Sequence, residues 1–269
     1  MNRVIIDKAG RLEIKNFQLL FDERKIPLRK IDFLILSGDV ELTTKVIAKL
    51  TRNDISVLIF NKGFSFIHPI SSKNAELKKK QFFALNKRVE IAKWIVKEKI
   101  KRNFLGIEFD FTKIEKCESI DEVLGIEGAF ARRYFKEYFS LFDKNLTKGY
   151  RSKRPPQDVV NALMSFLYTI VYYEITNILI KNGLDAQIGY LHEPFRTHNA
   201  LSSDILELFR SEIDKFVLKL FKDKKIIKKD FTTQYRLRDE KRKELWKEIK
   251  NFLESLKIQK EISHLKGLL

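Results

Sequence analysis

The stretch NAELKKKQFFALNKRVEIAKWIVKEKIKRNF, residues 74–104, lies where the chain changes from a strand-like to a helix-like pattern. Its apolar residues recur with a period of about 3.6 residues, and lysines and arginines occupy the opposite side. The apolar positions are Phe82, Leu85, Val89, Ala92 and Val96. This spacing predicts an amphipathic helix that buries one face.

Upstream of this stretch, the chain has the pattern of a β-rich region. Short runs of Ile, Leu, Val and Phe are separated by turn sequences such as AGR, SGD and NKG. The runs are VIID, RLEI, KIDFLIL and ISVLIF. One helix interrupts them in ELTTKVIAKLTRND, where Val46, Ile47 and Leu50 share a side and Asn53 is a suitable end.

Downstream of this stretch, only helices are predicted. A capping box at Ser119–Glu122 starts the second helix. The third helix begins after Pro155–Pro156 and ends at Gly183, and the fourth covers Leu201 to about Leu220. A last amphipathic helix, DEKRKELWKEIKNFLESL, follows a lysine-rich segment.

These patterns together predict an α+β fold. A small N-terminal β-rich domain, residues 1–72, is followed by a larger all-helical domain, residues 73–269. A chain of 269 residues with 44% hydrophobic content can form such cores.

The segment from Val159 to Ile180 is apolar and long enough to cross a bilayer. It also contains polar residues that are costly in lipid, namely Asn161, Ser165, Glu174, Thr176 and Asn177. We therefore expect the buried central helix of a soluble domain, with no membrane partner. The N-terminus lacks the apolar run of a secretory signal and Cys117 is the single cysteine, so we expect a cytoplasmic protein.

Charge gives the first indication of function. The chain has 53 Lys and Arg against 36 Asp and Glu, a net charge of +17 and a pI near 9.7. This excess favours a polyanionic partner, either nucleic acid or anionic lipid. Two basic segments stand out: KGYRSKRPPQD before the third helix, and KLFKDKKIIKK, which has six lysines from Lys219 to Lys229. Both could equally be solvated faces.

The basic segment before the third helix is placed to bind DNA. Its cations are Lys148, Arg151, Lys153 and Arg154. The start of a helix offers further backbone N–H groups to phosphate. Within that helix Asn161, Ser165, Tyr168 and Tyr172 form a polar stripe, and we place this stripe near a functional site.

Acidic and imidazole groups collect in GYLHEPFRTHNALSSDILELFR, residues 189–210. Asp204 and Glu207 are three residues apart, so both lie on one face of a helix, and His192 precedes them in a loop. One imidazole with carboxylates suits Mg²⁺ or Mn²⁺ better than zinc. A hydrogen-bonded structural histidine is the alternative.

Glu127 lies in the second helix on an otherwise apolar face, shared with Val123, Phe130, Ala131 and Tyr134. A carboxylate there is costly unless it is paired or binds a metal. A glutamate that reaches water, or pairs with a lysine or arginine, fits the same pattern.

Four stretches in this order resemble the CRISPR-associated integrase family, the spacer-acquisition endonuclease of prokaryotic immunity. They are GIEGAFARRYF around Glu127, RPPQDVVNALMSFLYT, GLDAQIGYLH and LSSDILELFR. Weaker similarity runs through GDVELTTKVIAKLTRNDISVLIFNKG. Ala186 replaces a proline that is usual in the family's turn, and Ser203 and Ile205 flank Asp204 where small or apolar residues are usual.

The resemblance implies that Glu127, His192 and Asp204 are the catalytic residues and bind a divalent metal, with Glu207 a further acid beside it. It implies that the helical domain inserts DNA spacers into a repeat array by transesterification from 3′-hydroxyls, and cleaves branched DNA. It also implies a homodimer formed through the β-rich domain, and a small ferredoxin-like CRISPR-associated partner. A branched-DNA nuclease outside CRISPR immunity, and a catalytically silent basic DNA-binding scaffold, are the alternatives.

Overall fold

The computed structural model describes residues 2–60, 63–69, 74–153, 155–194 and 198–269. The strands in these ranges are β1 (Arg3–Ile6), β2 (Gly10–Arg11), β3 (Glu13–Lys15), β4 (Gln18–Phe21), β5 (Arg24–Pro27), β6 (Phe33–Leu36), β7 (Val40–Glu41), β8 (Ser56–Phe60) and β9 (Phe64–Ile67). The α-helices are α1 (Thr44–Arg52), α2 (Ala75–Phe83), α3 (Arg88–Lys101), α4 (Thr112–Glu115), α5 (Ile120–Phe139), α6 (Val159–Lys181), α7 (Ala200–Glu207), α8 (Arg210–Lys222), α9 (Asp239–Ser255) and α10 (Ile258–Leu268).

The order of these elements confirms the predicted fold class. The strands of the described chain all precede residue 68, and every α-helix except α1 follows residue 74. The predicted boundary between residues 72 and 73 falls among residues 70–73, which lie outside the described ranges. The domain limits therefore stay a prediction.

Strand β6 is central to the N-terminal region. It lies in a four-stranded sheet of order β1-β6-β8-β9, in which β1, β6 and β8 are parallel and β9 is antiparallel. Helix α1 lies in the connection from β6 to β8, because parallel neighbours need a crossover. The remaining strands form an antiparallel sheet, β3-β4-β5, and the parallel pair β2-β7.

Both faces of β6 are covered. Its four residues, FLIL, are all buried, as expected for a parallel strand between two layers. Phe33 and Ile35 belong to the helical core, whereas Leu34 and Leu36 belong to the core that includes α1. Because successive side chains point to opposite faces, β6 is a wall shared by two cores.

Helix α6 is the central helix of the helical region. It is the one described helix that is long and apolar enough to cross a membrane, yet 72% of its most apolar 18-residue segment is buried inside the protein. Asp158 caps its start, since Oδ1 accepts a hydrogen bond from the Asn161 backbone N–H at 2.7 Å. The predicted buried central helix is present.

Buried polar contacts join the strand-rich region to the helices. Arg3 of β1 donates through Nη2 to Glu174 Oε1 of α6 at 2.6 Å, and both side chains are buried. Burial raises the pKa of Glu174, although the Arg3 charge opposes that shift. Trp246 Nε1 of α9 donates to Ser37 Oγ, just after β6, at 3.2 Å. These contacts fix the orientation of the two regions.

Two predicted helices are interrupted. The helix predicted from Leu201 to about Leu220 breaks at Leu208–Phe209 into α7 and α8. All residues of α7 are buried, whereas α8 has an exposed side. Both contact α6, and the bend lets each pack against it. No proline or glycine marks this break, because it arises from tertiary packing.

The helix predicted over residues 74–104 is interrupted by a 3₁₀ turn, Ala84–Lys87. The tighter turn changes the rotation of α2 relative to α3. Ala92 and Val96 are buried as predicted, but Phe82 is 60% exposed. The prediction that Phe82 shares the buried face was therefore wrong.

Candidate active site

Asp204 of α7 holds in place the turn that contains His192. The Asp204 carboxylate accepts hydrogen bonds from the backbone N–H groups of Tyr190 (2.5 Å) and Leu191 (3.0 Å) through Oδ2, and from that of His192 (2.9 Å) through Oδ1. Gly189 is required here, since a Cβ at this position would lie 2.7 Å from Ala200 Cβ. The aspartate therefore fixes the backbone of the whole turn.

The imidazole of His192 is oriented by the same carboxylate. His192 Nδ1 lies 2.8 Å from Asp204 Oδ1, and we assign the proton to Nδ1 because a carboxylate oxygen accepts. Nε2 is then the nitrogen left with a free lone pair. Burial alone would lower the pKa of His192, but the Asp204 hydrogen bond and the Glu207 charge raise it.

A lysine ammonium bridges two carboxylates from different helices. Lys99 Nζ of α3 lies 2.5 Å from Glu207 Oε2 of α7 and also contacts Glu127 Oε1 of α5. Arg210 Nε donates to the other oxygen of Glu207 at 2.7 Å. Burial would raise the pKa of Glu207, but the charges of Arg210 and Lys99 lower it to about 2.

The donor atoms can be tested against the divalent metal that the sequence predicts. Asp204 is fully buried, and its two oxygens already accept four hydrogen bonds, which fills their lone pairs. Glu127, Glu207 and His192 Nε2 offer hard donors and one imidazole, and Lys99 shows that the carboxylates accept a cation between them. Across the described ranges, no cluster of three or more His, Cys, Asp or Glu is already gathered in ligating geometry. These donor types fit Mg²⁺ or Mn²⁺. That these residues bind the metal together stays a prediction.

The polar stripe of α6 holds a half-buried arginine, Arg151, beside this cluster. Arg151 donates through Nη1 to Asn161 Oδ1 (2.9 Å) and through Nη2 to Ser165 Oγ (3.2 Å). The Tyr168 ring lies near two guanidinium groups, 5.5 Å from Arg151 and 4.9 Å from Arg210. Asn161, Ser165 and Tyr168 therefore lie near the site, in contact with its cations.

Two of the predicted DNA-binding residues, Arg151 and Lys153, lie close enough to a third cation, Arg210, for their charges to interact. Burial and the neighbouring Arg210 lower the pKa of both Arg151 and Lys153. Arg151 Nε is buried and has no hydrogen-bond partner within the described ranges. Lys148 is exposed on the preceding loop, and Arg154 lies outside the described residues. The geometry suits binding of an anion beside the carboxylates.

The chain matches the family model described as CRISPR associated protein Cas1 over residues 2–106 and 106–251. The chain belongs to the Cas1 family. The resemblance to CRISPR-associated integrases is thereby confirmed. A CRISPR-associated endonuclease Cas1 of Thermodesulfovibrio yellowstonii is 33% identical over 237 residues, which is 77% of this chain and 73% of that relative.

Solved structures share the Cas1 fold found here. A CAS1 protein from Thermotoga maritima matches with a TM-score of 0.89 at 26% identity, covering 99% of this chain and 96% of that one. A casposase bound to integration product matches with a TM-score of 0.78 at 24% identity, covering 94% and 82%. This second likeness shows the fold alone.

Three charged residues of this candidate site were not predicted from the sequence: Lys99, Arg210 and Asp214. Asp214 of α8 is fully buried and accepts hydrogen bonds from Tyr168 (2.5 Å) and Tyr134 (3.0 Å). Lys99 and Asp214 lie at positions of α3 and α8 that otherwise carry buried apolar residues. A charge within an apolar stripe was the signal that could have identified them.

Proposed function

We propose that this Cas1 family member is a metal-dependent DNA endonuclease and integrase. It inserts short foreign DNA fragments into a CRISPR repeat array by transesterification from their 3′-hydroxyls. The observation that carries the proposal is that Glu127 and Glu207, from two helices, meet at one ammonium group, with Glu207 near enough to His192 to raise its pKa. The endonuclease name of the relative and the fold shared with a casposase bound to integration product support it.

The ligands of Mg²⁺ or Mn²⁺ in this proposal are the carboxylates of Glu127 and Glu207 and Nε2 of His192. The metal, when bound, stabilises charge on the scissile phosphate and makes the attacking hydroxyl more acidic. We assign Asp204, the ligand expected from the resemblance, to positioning His192, because its oxygens are already occupied by the turn.

The chain's own cations have separate tasks in this reaction. Arg151 and Lys153 bind phosphate oxygens of the DNA, since both are cations beside the carboxylates and Arg210. Arg210 keeps Glu207 ionised at neutral pH. The six exposed lysines from Lys219 to Lys229 extend the positive surface over which a duplex can lie.

The proposed partners follow from the resemblance. The protein acts in the cytoplasm on double-stranded and branched DNA, as a homodimer formed through the β-rich region. A small ferredoxin-like CRISPR-associated protein joins two such dimers. A branched-DNA nuclease outside CRISPR immunity would use the same residues, and a silent DNA-binding scaffold would use none of them.

Strand joining tests the proposal. Purified protein, supercoiled plasmid with a CRISPR repeat and short duplexes with 3′-hydroxyls should give joined product in Mn²⁺ or Mg²⁺ and none in EDTA. Glu127→Gln and Glu207→Gln should each lower the joining rate by about 10³-fold, because a lost ligand removes several kcal/mol of charge stabilisation. DNA affinity should persist, since removing a carboxylate does not weaken phosphate attraction.

The matched control is Glu137→Gln on the exposed side of α5, which should join DNA at the normal rate. Joining that survives chelation would overturn the metal role. Cleavage of branched DNA without any joining to the repeat would favour the nuclease outside immunity. Binding with neither activity, in a folded protein, would favour the scaffold.

A further inference from the structure

Two adjacent phenylalanines are exposed at the end of α2. Phe82 and Phe83 are 60% and 58% exposed, and their ring centroids lie 6.2 Å apart in an edge-to-face arrangement. Contiguous exposed aromatic side chains are typical of binding surfaces. We call the exposed side chains Lys79, Lys80, Phe82, Phe83 and Lys87 the Phe82–Phe83 face.

The charge of this face is positive. Residues 75–87 contain four lysines and one glutamate. Lys79 and Lys80 lie one turn before the phenylalanines and Lys87 one turn after them, and all three are exposed. Aromatic rings between lysines offer stacking surfaces and phosphate contacts at the same place, which is the composition of a single-stranded nucleic acid site.

The buried side of α2 is hydrogen-bonded to the turn that carries His192. The Gln81 side chain donates to the carbonyl oxygens of Asp185 (2.8 Å) and Ile188 (3.1 Å), and Tyr190 OH donates to the Gln81 carbonyl at 2.9 Å. Arg88 Nε donates to the Tyr190 carbonyl at 2.7 Å. Helix α2 thus lies between the Phe82–Phe83 face and the turn that carries His192.

We infer that the Phe82–Phe83 face binds unpaired bases of a single-stranded DNA end that enters or leaves the site. Stacking needs bases that are free of a duplex, and the lysines provide contacts to the flanking phosphates. The inference rests on the proposed function for DNA as the substrate, but it assigns a separate binding surface that takes no part in the chemistry.

Fluorescence anisotropy in EDTA tests this surface without any reaction. The probes are a duplex with a single-stranded thymidine 3′ overhang and the same duplex with blunt ends. The double variant Phe82→Ala/Phe83→Ala should lose about tenfold or more in affinity for the overhang duplex. Its affinity for the blunt duplex should change less than about twofold, because backbone contacts remain.

The nature of the contact is tested by two further double variants. Tyrosine at both positions should restore overhang binding, since it keeps the ring, whereas leucine at both should not. Phe17→Ala is the matched control, because Phe17 is 79% exposed at the turn between β3 and β4 and should not affect either probe. The thermal midpoint should be unchanged in all of them.

Several results would overturn the inference. Equal losses for blunt and overhang duplexes, or none for either, would remove the base-binding role. Full rescue by leucine together with a lower sedimentation coefficient in the alanine variant would show an apolar contact between protein copies instead. Because these binding measurements need no catalysis, loss of strand joining in Glu127→Gln would leave their outcome unaffected.

Discussion

Two carboxylates one helical turn apart are held in different ways. Asp204 accepts hydrogen bonds from three backbone N–H groups and one imidazole, all from the turn that precedes α7. Glu207 is held by the side chains of Lys99 and Arg210. A carboxylate bound by the main chain maintains the fold, whereas one bound by long side chains can exchange an ammonium group for another cation. This difference is the basis of our proposal that Asp204 positions His192 and that Glu207 binds the metal.

The most direct way to break this comparison is Asp204→Ala. Three buried backbone N–H groups would lose their acceptor, which should lower the free energy of unfolding by about 3–5 kcal/mol. Urea denaturation measures the loss, and Asp143→Ala, on an exposed loop, is the control. Normal stability with lost Mn²⁺ affinity would make Asp204 a ligand after all.

A third carboxylate, Asp214, sharpens the comparison, because it is buried among tyrosine hydroxyls. Burial raises its pKa to about 6, although the hydrogen bonds from Tyr168 and Tyr134 oppose the shift. The folded protein then binds a proton more tightly than the unfolded chain, whose aspartate has a pKa of 3.8. Stability from this group is present below pH 4 and is lost as the pH rises through 6.

The expected effect of Asp214→Asn is a flatter stability profile. Between roughly pH 4 and pH 6, the free energy of unfolding of the wild type should include a decrease of up to about 3 kcal/mol. The variant should lack this decrease. Chemical denaturation at several pH values measures it, with Asp143→Asn as the control. Parallel profiles for wild type and Asp214→Asn would show that Asp214 does not bind this proton.

The smallest expected effect is that of Lys99→Met. Removing the ammonium leaves Glu127 and Glu207 without their bridge and removes a competitor for a divalent cation. Mn²⁺ affinity, measured by titration in solution, should rise by about tenfold, a free-energy change near 1.4 kcal/mol. The control is Lys97→Met, which lies on the same helix as Lys99 and removes an exposed ion pair with Glu115 of α4. Unchanged affinity would place the metal elsewhere.

The sequence contained enough to predict the fold class, but only part of the site. Hydrophobic runs and helical spacing located most strands and helices, including α6, because burial leaves a periodic pattern. The break at Leu208–Phe209 left no such trace. Helical spacing alone places Asp204 and Glu207 on one face. It does not show that Asp204 binds the turn and Glu207 binds two side chains, because only folding brings these partners together.

Strand β6 has a thermodynamic consequence for the whole chain. Its alternate side chains complete two hydrophobic cores, so melting either core exposes one face of the same strand. Neither the strand-rich region nor the helical region can then lose its packing while the other keeps its own. The change of composition near residue 72 therefore marks a boundary in sequence but not in cooperativity: heat or denaturant should unfold both regions in a single transition.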